Sequence, residues 1–313
     1  MDMSINKKAM SKFCIALAAF FATCLTACSS TETPINYKGA PALWEVSDND
    51  TQIYIFGTAP VLTKNTEWTF EPLLSAFRDS DLMIVETDNS LDAQTAVQTI
   101  IPKIGLYQNG RTLSESLTAE QAEELNSFTM KMGVSLEQLN ALKPWLASIQ
   151  IGALALSQGD YDLSQTPIIQ LEALAKEQRK TTKPLESSTF LMSKLLDLPE
   201  NEQVEMLMHT VRLLRDQPNH QADLAAAWLD GDQNKIADLL HGPDGVWSSD
   251  TIYEIMLVER NKTWVKEISN LMETHKGTVF FTIGLGHLAG PDNLLNRLSE
   301  KDFKVTRIAP TPN

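Results

Sequence analysis

The chain has 313 residues, 26 lysines and arginines against 40 aspartates and glutamates, and a formal net charge of −14. That acidity argues against nucleic acid as a partner and against broad contact with anionic lipid, both of which need clustered Lys and Arg. A 43% hydrophobic content over this length suits one sizeable core or two compact lobes, and no low-complexity linker divides the sequence.

The first 27 residues read as a targeting segment outside the fold. Lys7, Lys8 and Lys12 make a basic start, Phe13 to Leu25 is apolar but too short to span a bilayer, and small Ala27 precedes Cys28. Leu25-Thr26-Ala27-Cys28 also resembles a bacterial lipobox, which implies cleavage before Cys28 and acylation of that cysteine. Several acyl chains anchor a protein stably where one binds reversibly. Ser29 follows, with no Asp; by resemblance to Gram-negative lipoproteins this implies an outer-membrane lipoprotein facing the periplasm. Residues 28–38 then read as the acylated cysteine and a flexible tether, and 39–313 as the domain.

Cleavage would remove Cys14 and Cys24, leaving no internal disulfide and no thiolate metal site, so any metal would rest on His, carboxylate or water. It would also remove three lysines and one aspartate, bringing the remaining chain to about −16. Contact with the membrane is expected through the anchor alone.

Leu43–Val46 and Gln52–Phe56 are short β-prone runs separated by Ser47-Asp48-Asn49-Asp50-Thr51, which predicts a hairpin. A helix is expected over Glu71–Arg78, then a buried strand in the continuous apolar run Leu82-Met83-Ile84-Val85. Thr118 with Gln121, and Ser135 with Gln138, are capping boxes that start helices, the second interrupted or restarted by Pro144. Pro167 suits the first turn of a helix to about Gln178, before an extended Lys183-Pro184-Leu185-Glu186. Helices follow over Ser187–Leu195, Glu202–Arg215, Gln221–Leu229 and Asn234–Leu240, then one from Asp250 to Glu273. The strand Thr278–Ile283, a helix around Asn293–Lys301 and a strand Lys304–Ile308 close the sequence. The expectation is an α/β (α+β) fold, its central sheet built from both chain ends around a large helical middle.

The candidate site residues stand where strands end. Gly57-Thr58-Ala59-Pro60 follows one apolar strand and Gly284-Leu285-Gly286-His287 another, while Glu86 and Glu186 close two more extended runs. Strand ends that meet at one sheet edge form a crevice, and glycine there permits close approach. Arg260 shares a helix face with Leu257, Trp264, Ile268 and Leu271, so its guanidinium must find a carboxylate or a ligand inside an apolar stripe. Each has a plainer reading: His287 as a loop residue bonded to backbone, Glu86 and Glu186 as helix caps, Arg260 as a structural ion-pair member. His209, His220, His241 and His275 have no ligand spacing and read as solvated; Trp44, Trp145 and Trp264 read as core.

Together with Ala42-Leu43-Trp44-Glu45-Val46, Lys143-Pro144-Trp145 and Glu259-Arg260-Asn261, these blocks resemble the TraB/GumN family, which includes the Tiki-type metal-dependent proteases. The matching blocks span about residues 40 to 308. The resemblance implies two Gly-x-x-His turns which, with a glutamate or two, hold a divalent metal that polarises a carbonyl and activates water. His287, Glu86, Glu186 and Arg260 match that pattern, with His287 and Glu86 as metal ligands, but Pro60 stands at the first histidine and offers no donor atom. The two alike turns also raise the expectation of two related halves. The functional reading is a catalytically impaired relative that keeps a cleft for a peptide, glycan or envelope partner and holds a divalent metal weakly or not at all. The alternative is a metal-dependent, peptidase-like hydrolase with an altered ligand set.

Overall fold

A computed structural model describes residues 39–310. The targeting segment, Cys28 and the tether lie outside the described residues.

Strands β1 (Leu43–Ser47) and β2 (Thr51–Thr58) form the expected antiparallel hairpin, with Val46 opposite Ile53. Its turn is closed by the Asp48 carboxylate, which accepts from the backbone N–H of Asp50 and of Thr51. Helix α1 (Glu71–Asp79) starts with Pro72 in its first turn and leads to β3 (Leu82–Thr87). The six-stranded sheet has the order β4-β3-β5-β2-β1-β6, with β4 at Thr181–Glu186, β5 at Gly277–Gly284 and β6 at Val305–Ile308. β2, β3, β4 and β5 run parallel to one another; β1 runs against them, and β6, antiparallel to β1, shares their direction. Pro184 is tolerated in β4 because that strand lies at the sheet edge.

The parallel strands place their carboxyl ends along one edge, and β2 lies directly beside β5 although the helical middle separates them in sequence. The register sets Gly57 opposite Ile283 and Thr58 opposite Gly284, so the two glycine turns leave the sheet side by side.

Each face of the sheet carries its own core, because successive side chains point to opposite faces. Phe56, Met83 and Phe280 pack on one side beneath Phe77 of α1, Leu171 of α6 (Pro167–Glu177) and Trp228 of α9 (His220–Leu229). Ile55, Ile84 and Phe281 pack on the other beneath Trp264 and Ile268 of α12 (Glu259–Thr274) and Leu294 of α13 (Leu294–Ser299). A third core lies among the middle helices, where Leu125 of α3 (Ala119–Lys131), Trp145 of α5 (Pro144–Gln158) and Leu207 of α8 (Glu200–Asp216) meet. The architecture is the expected α/β arrangement. No described helix is long and apolar enough to cross a membrane.

Two details depart from the sequence reading, and a third follows it. Helix α2 (Leu91–Ile104), started by the Ser90 side chain, was not among the expected elements, and Pro102 in its last turn obscures its pattern. As expected, Pro144 restarts the chain as a separate helix, α5, after the short α4 (Leu136–Leu139). The single helix expected over 250–273 is interrupted: α11 (Asp250–Tyr253) passes into a π-helical turn at Glu254–Val258 before α12. Between these lie α7 (Ser188–Leu196) after β4 and α10 (Gln233–His241) after α9.

Candidate functional site

Glu86 is the penultimate residue of β3 and Glu186 the last of β4, so the parallel sheet sets both carboxylates at its carboxyl edge. β5 ends at Gly284 and turns through Leu285–Leu288, which brings His287 back to the same edge. α12, packed on the Ile55–Phe281 face of the sheet, delivers Arg260 from its first turn.

Arg260 is the hub. Its Nε donates to Glu186 at 3.1 Å and 3.0 Å, Nη2 donates to Glu86 Oε1 at 2.6 Å, and Nη1 donates to His287 Nε2 at 3.1 Å and to the Met256 carbonyl at 2.9 Å. The last bond uses a carbonyl inside the π-helical turn, where the backbone register is shifted. The guanidinium also lies 4.7 Å from the Trp264 ring centroid, and the indole N–H donates to Glu186 Oε1 at 3.1 Å. Each guanidinium nitrogen of Arg260 donates at least one hydrogen bond, which is how a charge only 5% exposed is sustained in an apolar stripe.

His287 is 6% exposed and packs against Trp264, ring centroids 4.3 Å apart. Its Nδ1 is 2.8 Å from Asn261 Oδ1, an acceptor, so that nitrogen carries the proton and Nε2 is left to accept from Arg260. Asn261 is itself fixed by donating to the Asp292 carbonyl at 2.9 Å. Burial drives His287 down to about 4, since Glu86 only partly offsets burial and Arg260 adds to it; the ring is neutral at pH 7. Burial pushes the Glu86 carboxyl up, but the permanently charged Arg260 and a 2.6 Å hydrogen bond from the Gly284 N–H hold it below the usual carboxylate range. A Cβ on Gly284 would lie 3.2 Å from Glu86 Oε2, so glycine keeps that bond short.

The cluster opens onto a cavity of about 560 Å³ lined by Glu86, Arg260, His287 and Thr282, with Ile168, Leu224, Leu240, Val246, Trp247 and Met256 among its apolar walls. Pro60 lines the same cavity, exposed, while Ala59 is buried. The structure thus brings together Glu86, Arg260, His287 and the Pro60 position around one cavity. Glu186 joins them through Arg260 from behind the lining. Neither glutamate caps a helix; Ser90 caps α2, and α7 after Glu186 has no side-chain cap.

Other sequence expectations are corrected. His209, His220, His241 and His275 are not solvated: His220 is 4% exposed, and the other three are partly buried. His209 Nε2 pairs with the Gly245 carbonyl, His241 Nδ1 accepts from the Trp247 indole, and His275 pairs with Asp81, each fixing a connection between elements. Trp145 and Trp264 are core, but Trp44 is only half-buried, beneath Arg307. Thr282, Asn89 and Trp247, which line the cavity, carried no local sequence signal, whereas Asn261 could be read from its place beside Arg260 on the buried helix face.

The donor set does not fit a divalent metal with Arg260 in place. His287 Nε2 and Glu86 Oε1 are 4.0 Å apart, and both already accept from the guanidinium. An ion ~2.1 Å from each would stand within ~4 Å of a fixed positive charge, a repulsion of about 8 kcal/mol at an effective dielectric of ~20. No group of three His, Cys, Asp or Glu side chains among the described residues is arranged to hold a metal ion.

A search of curated proteins and one of solved structures returned no match. A family model described as the TraB/PrgY/gumN family matches residues 42–307. That span runs from β1 to β6 and contains the whole Arg260 cluster, so the chain belongs to the TraB/PrgY/gumN family.

Proposed function

We propose that this family member is an envelope lipoprotein, anchored at Cys28 on the outer membrane and facing the periplasm, whose cleft binds a peptide, glycan or envelope partner and no longer hydrolyses it. The observation that carries this reading is Arg260: it takes the one free lone pair of His287, pairs with Glu86 and Glu186, and sets a fixed positive charge where metal-dependent hydrolysis would need the ion. Pro60 supports it, because a proline ring at the cavity supplies neither ligand nor proton. What remains is a rigid, ion-paired floor under an apolar cleft, a form suited to binding.

One observation favours the alternative, a metal-dependent hydrolase with an altered ligand set. Asn261 fixes His287 in the tautomer whose Nε2 is free of hydrogen, the arrangement an outer partner imposes on a metal-binding histidine. Metal content of the purified full chain, measured beside Pro60→His, decides between them. The binding reading expects substoichiometric divalent metal in the native chain. Stoichiometric metal with chelator-sensitive peptide hydrolysis, both lost in His287→Ala, would overturn it. The anchor is tested by labelling cells with a fatty-acid analogue: the label should vanish in Cys28→Ser.

A further inference from the structure

Beside the cleft lies a second pocket, of about 290 Å³, lined by His241, Trp247, Ser249, Asp250, Tyr253 and Pro291. Three of these side chains are rings in contact: Trp247 stands edge-to-face on Tyr253 with centroids 5.4 Å apart, and His241 lies 5.6 Å from Tyr253 and 5.9 Å from Trp247. Aromatic clusters usually serve packing, but all three rings here are only partly buried and border a pocket open to solvent. Trp247 also lines the cleft, so the two spaces share one wall. The π-helical turn that starts after Tyr253 carries Met256 into the cleft wall, so one irregular segment serves both. The rings are held in place. The Trp247 indole N–H donates to His241 Nδ1 at 3.1 Å, and the Tyr253 hydroxyl donates to Asp292 Oδ2 at 2.9 Å. Gly290, at φ +79°, backs the His241 ring so closely that a Cβ there would stand 2.5 Å from it. The Asp292 carbonyl in turn accepts from Asn261, the residue that fixes His287.

The polar groups decide what such a surface can hold. Burial, with Asp292 adding to it, pushes the Tyr253 hydroxyl up to about 12, so it keeps its proton and gives it to Asp292. Burial lowers His241, so that ring is neutral at pH 7. Ser249 Oγ donates to Glu202 and accepts from the Ile252 N–H, which engages its proton as well. What remains is the exposed Asp250 carboxylate, an acceptor with no hydrogen bond or ion pair among the described residues. A polyproline helix needs donors for its carbonyls, and the indole and phenol protons that would serve are already engaged. A quaternary ammonium needs rings spaced around a hollow, and rings in mutual contact leave none between them. A sugar meets both conditions: the C–H bonds on one side of a pyranose form an apolar face that stacks on an aromatic ring, and its hydroxyls donate to a carboxylate.

We propose that this pocket is a sugar subsite: one pyranose ring of an uncharged, β-1,4-linked glycan lies on the Trp247–Tyr253 platform with its hydroxyls donating to Asp250, and the neighbouring unit passes Trp247 into the cleft. A volume of about 290 Å³ is at the small end of ligand pockets and suits a single ring. The glycan is uncharged because no lysine or arginine lines this pocket and Arg260, in the cleft, already faces two carboxylates. A β-1,4 linkage between glucose-type rings keeps the substituents equatorial and leaves flat C–H faces for stacking. This names the glycan among the ligands of the binding reading given above and rests on that reading for the cleft; the platform stands on its own residues.

The test is calorimetric titration of the purified full chain with cellotetraose and with tetra-N-acetylchitotetraose, both uncharged and β-1,4-linked. At least one should bind, with saturation below about 10 mM. Trp247→Ala should weaken that binding about ten-fold or more. Because Trp247 also packs within the protein, Asp250→Asn, at an exposed side chain, provides the second reading and should weaken binding about three-fold or more while far-UV circular dichroism stays native. Choline and tetraproline should not compete with the sugar. No binding of either oligosaccharide at about 10 mM, full affinity in Trp247→Ala or in Asp250→Asn, or displacement of the sugar by choline or tetraproline would overturn the proposal. The metal measurement is separate: stoichiometric metal with hydrolysis removes the binding reading of the cleft and leaves the platform, whereas failed sugar binding by a metal-free chain removes the platform alone.

Discussion

The turns after β2 and β5 leave the sheet as neighbours, in register and with similar glycine grammar, and their side chains enter different surroundings. After β5, Gly284 offers its N–H to Glu86, and His287 is locked between Arg260, Asn261 and Trp264. After β2, Gly57 is pressed against Leu285 and Leu288, its carbonyl accepts from the Trp228 indole at 2.6 Å, and the turn ends in an exposed proline. One turn belongs to an electrostatic network; the other is a packing joint. Alike sequence grammar therefore fixes where a residue is presented, and the surrounding elements decide what it does there.

The network side should break most severely at Arg260. Arg260→Met leaves two carboxylates, 26% and 10% exposed, without their cation, and should cost about 3–5 kcal/mol in denaturant unfolding. A loss below about 1 kcal/mol would mean that the cluster is not held together by this residue.

The same network should give the protein acid sensitivity. Between pH 6.5, the ordinary histidine value, and about 4, the folded chain binds fewer protons at His287 than the unfolded chain does, so stability rises with pH across that window. The contribution is fully present above pH 6.5 and is lost on acidification, by about 3 kcal/mol at the lower end. Glu86, also held below its ordinary value, has the same sign at still lower pH. Unfolding midpoints from pH 7.5 to 4.5 should fall for the native chain and flatten in His287→Gln; parallel curves would refute the assignment.

The packing side is tested by two glycines. A Cβ on Gly57 would lie 3.0 Å from Leu288 Cδ1 and 3.1 Å from the Leu285 backbone, so Gly57→Ala should destabilise by about 1–3 kcal/mol. On Gly286 the nearest atom is Leu240 Cδ1 at 3.5 Å, ordinary contact, and Gly286→Ala should stay within about 0.5 kcal/mol. Equal losses would erase the distinction between the turns. The smallest effect belongs to Pro60→His, an exposed change expected within about 0.5 kcal/mol of native stability. A larger loss would make Pro60 a structural part of its turn.

Local patterns anticipated most elements: the Asp48 hairpin, the capping boxes at Thr118 and Ser135, the proline starts at Pro144 and Pro167, and the buried strand at Leu82. Those signals act within a few residues, so they survive without tertiary context. α2 was not legible, because Pro102 and the threonines and glutamines around it blur its apolar stripe. That His209 and His275 are held rather than solvated is not legible in the sequence, because their partners lie on other elements: Gly245 for His209, Asp81 for His275.

The sequence by itself determined that Arg260 must be neutralised, since a guanidinium on an apolar helix face cannot stay buried alone, and that Pro60 brings no donor to its turn. Only the tertiary structure decided which groups answer Arg260 and what they forgo in doing so. Parallel alignment of β2, β3, β4 and β5 gathers Glu86, Glu186 and His287 at one edge, and the π-helical turn before α12 supplies the Met256 carbonyl that helps hold the guanidinium among them. Strand order and helix register are set by packing across residues far apart in the chain, so no local pattern could have shown that the lone pair of His287 is turned toward Arg260.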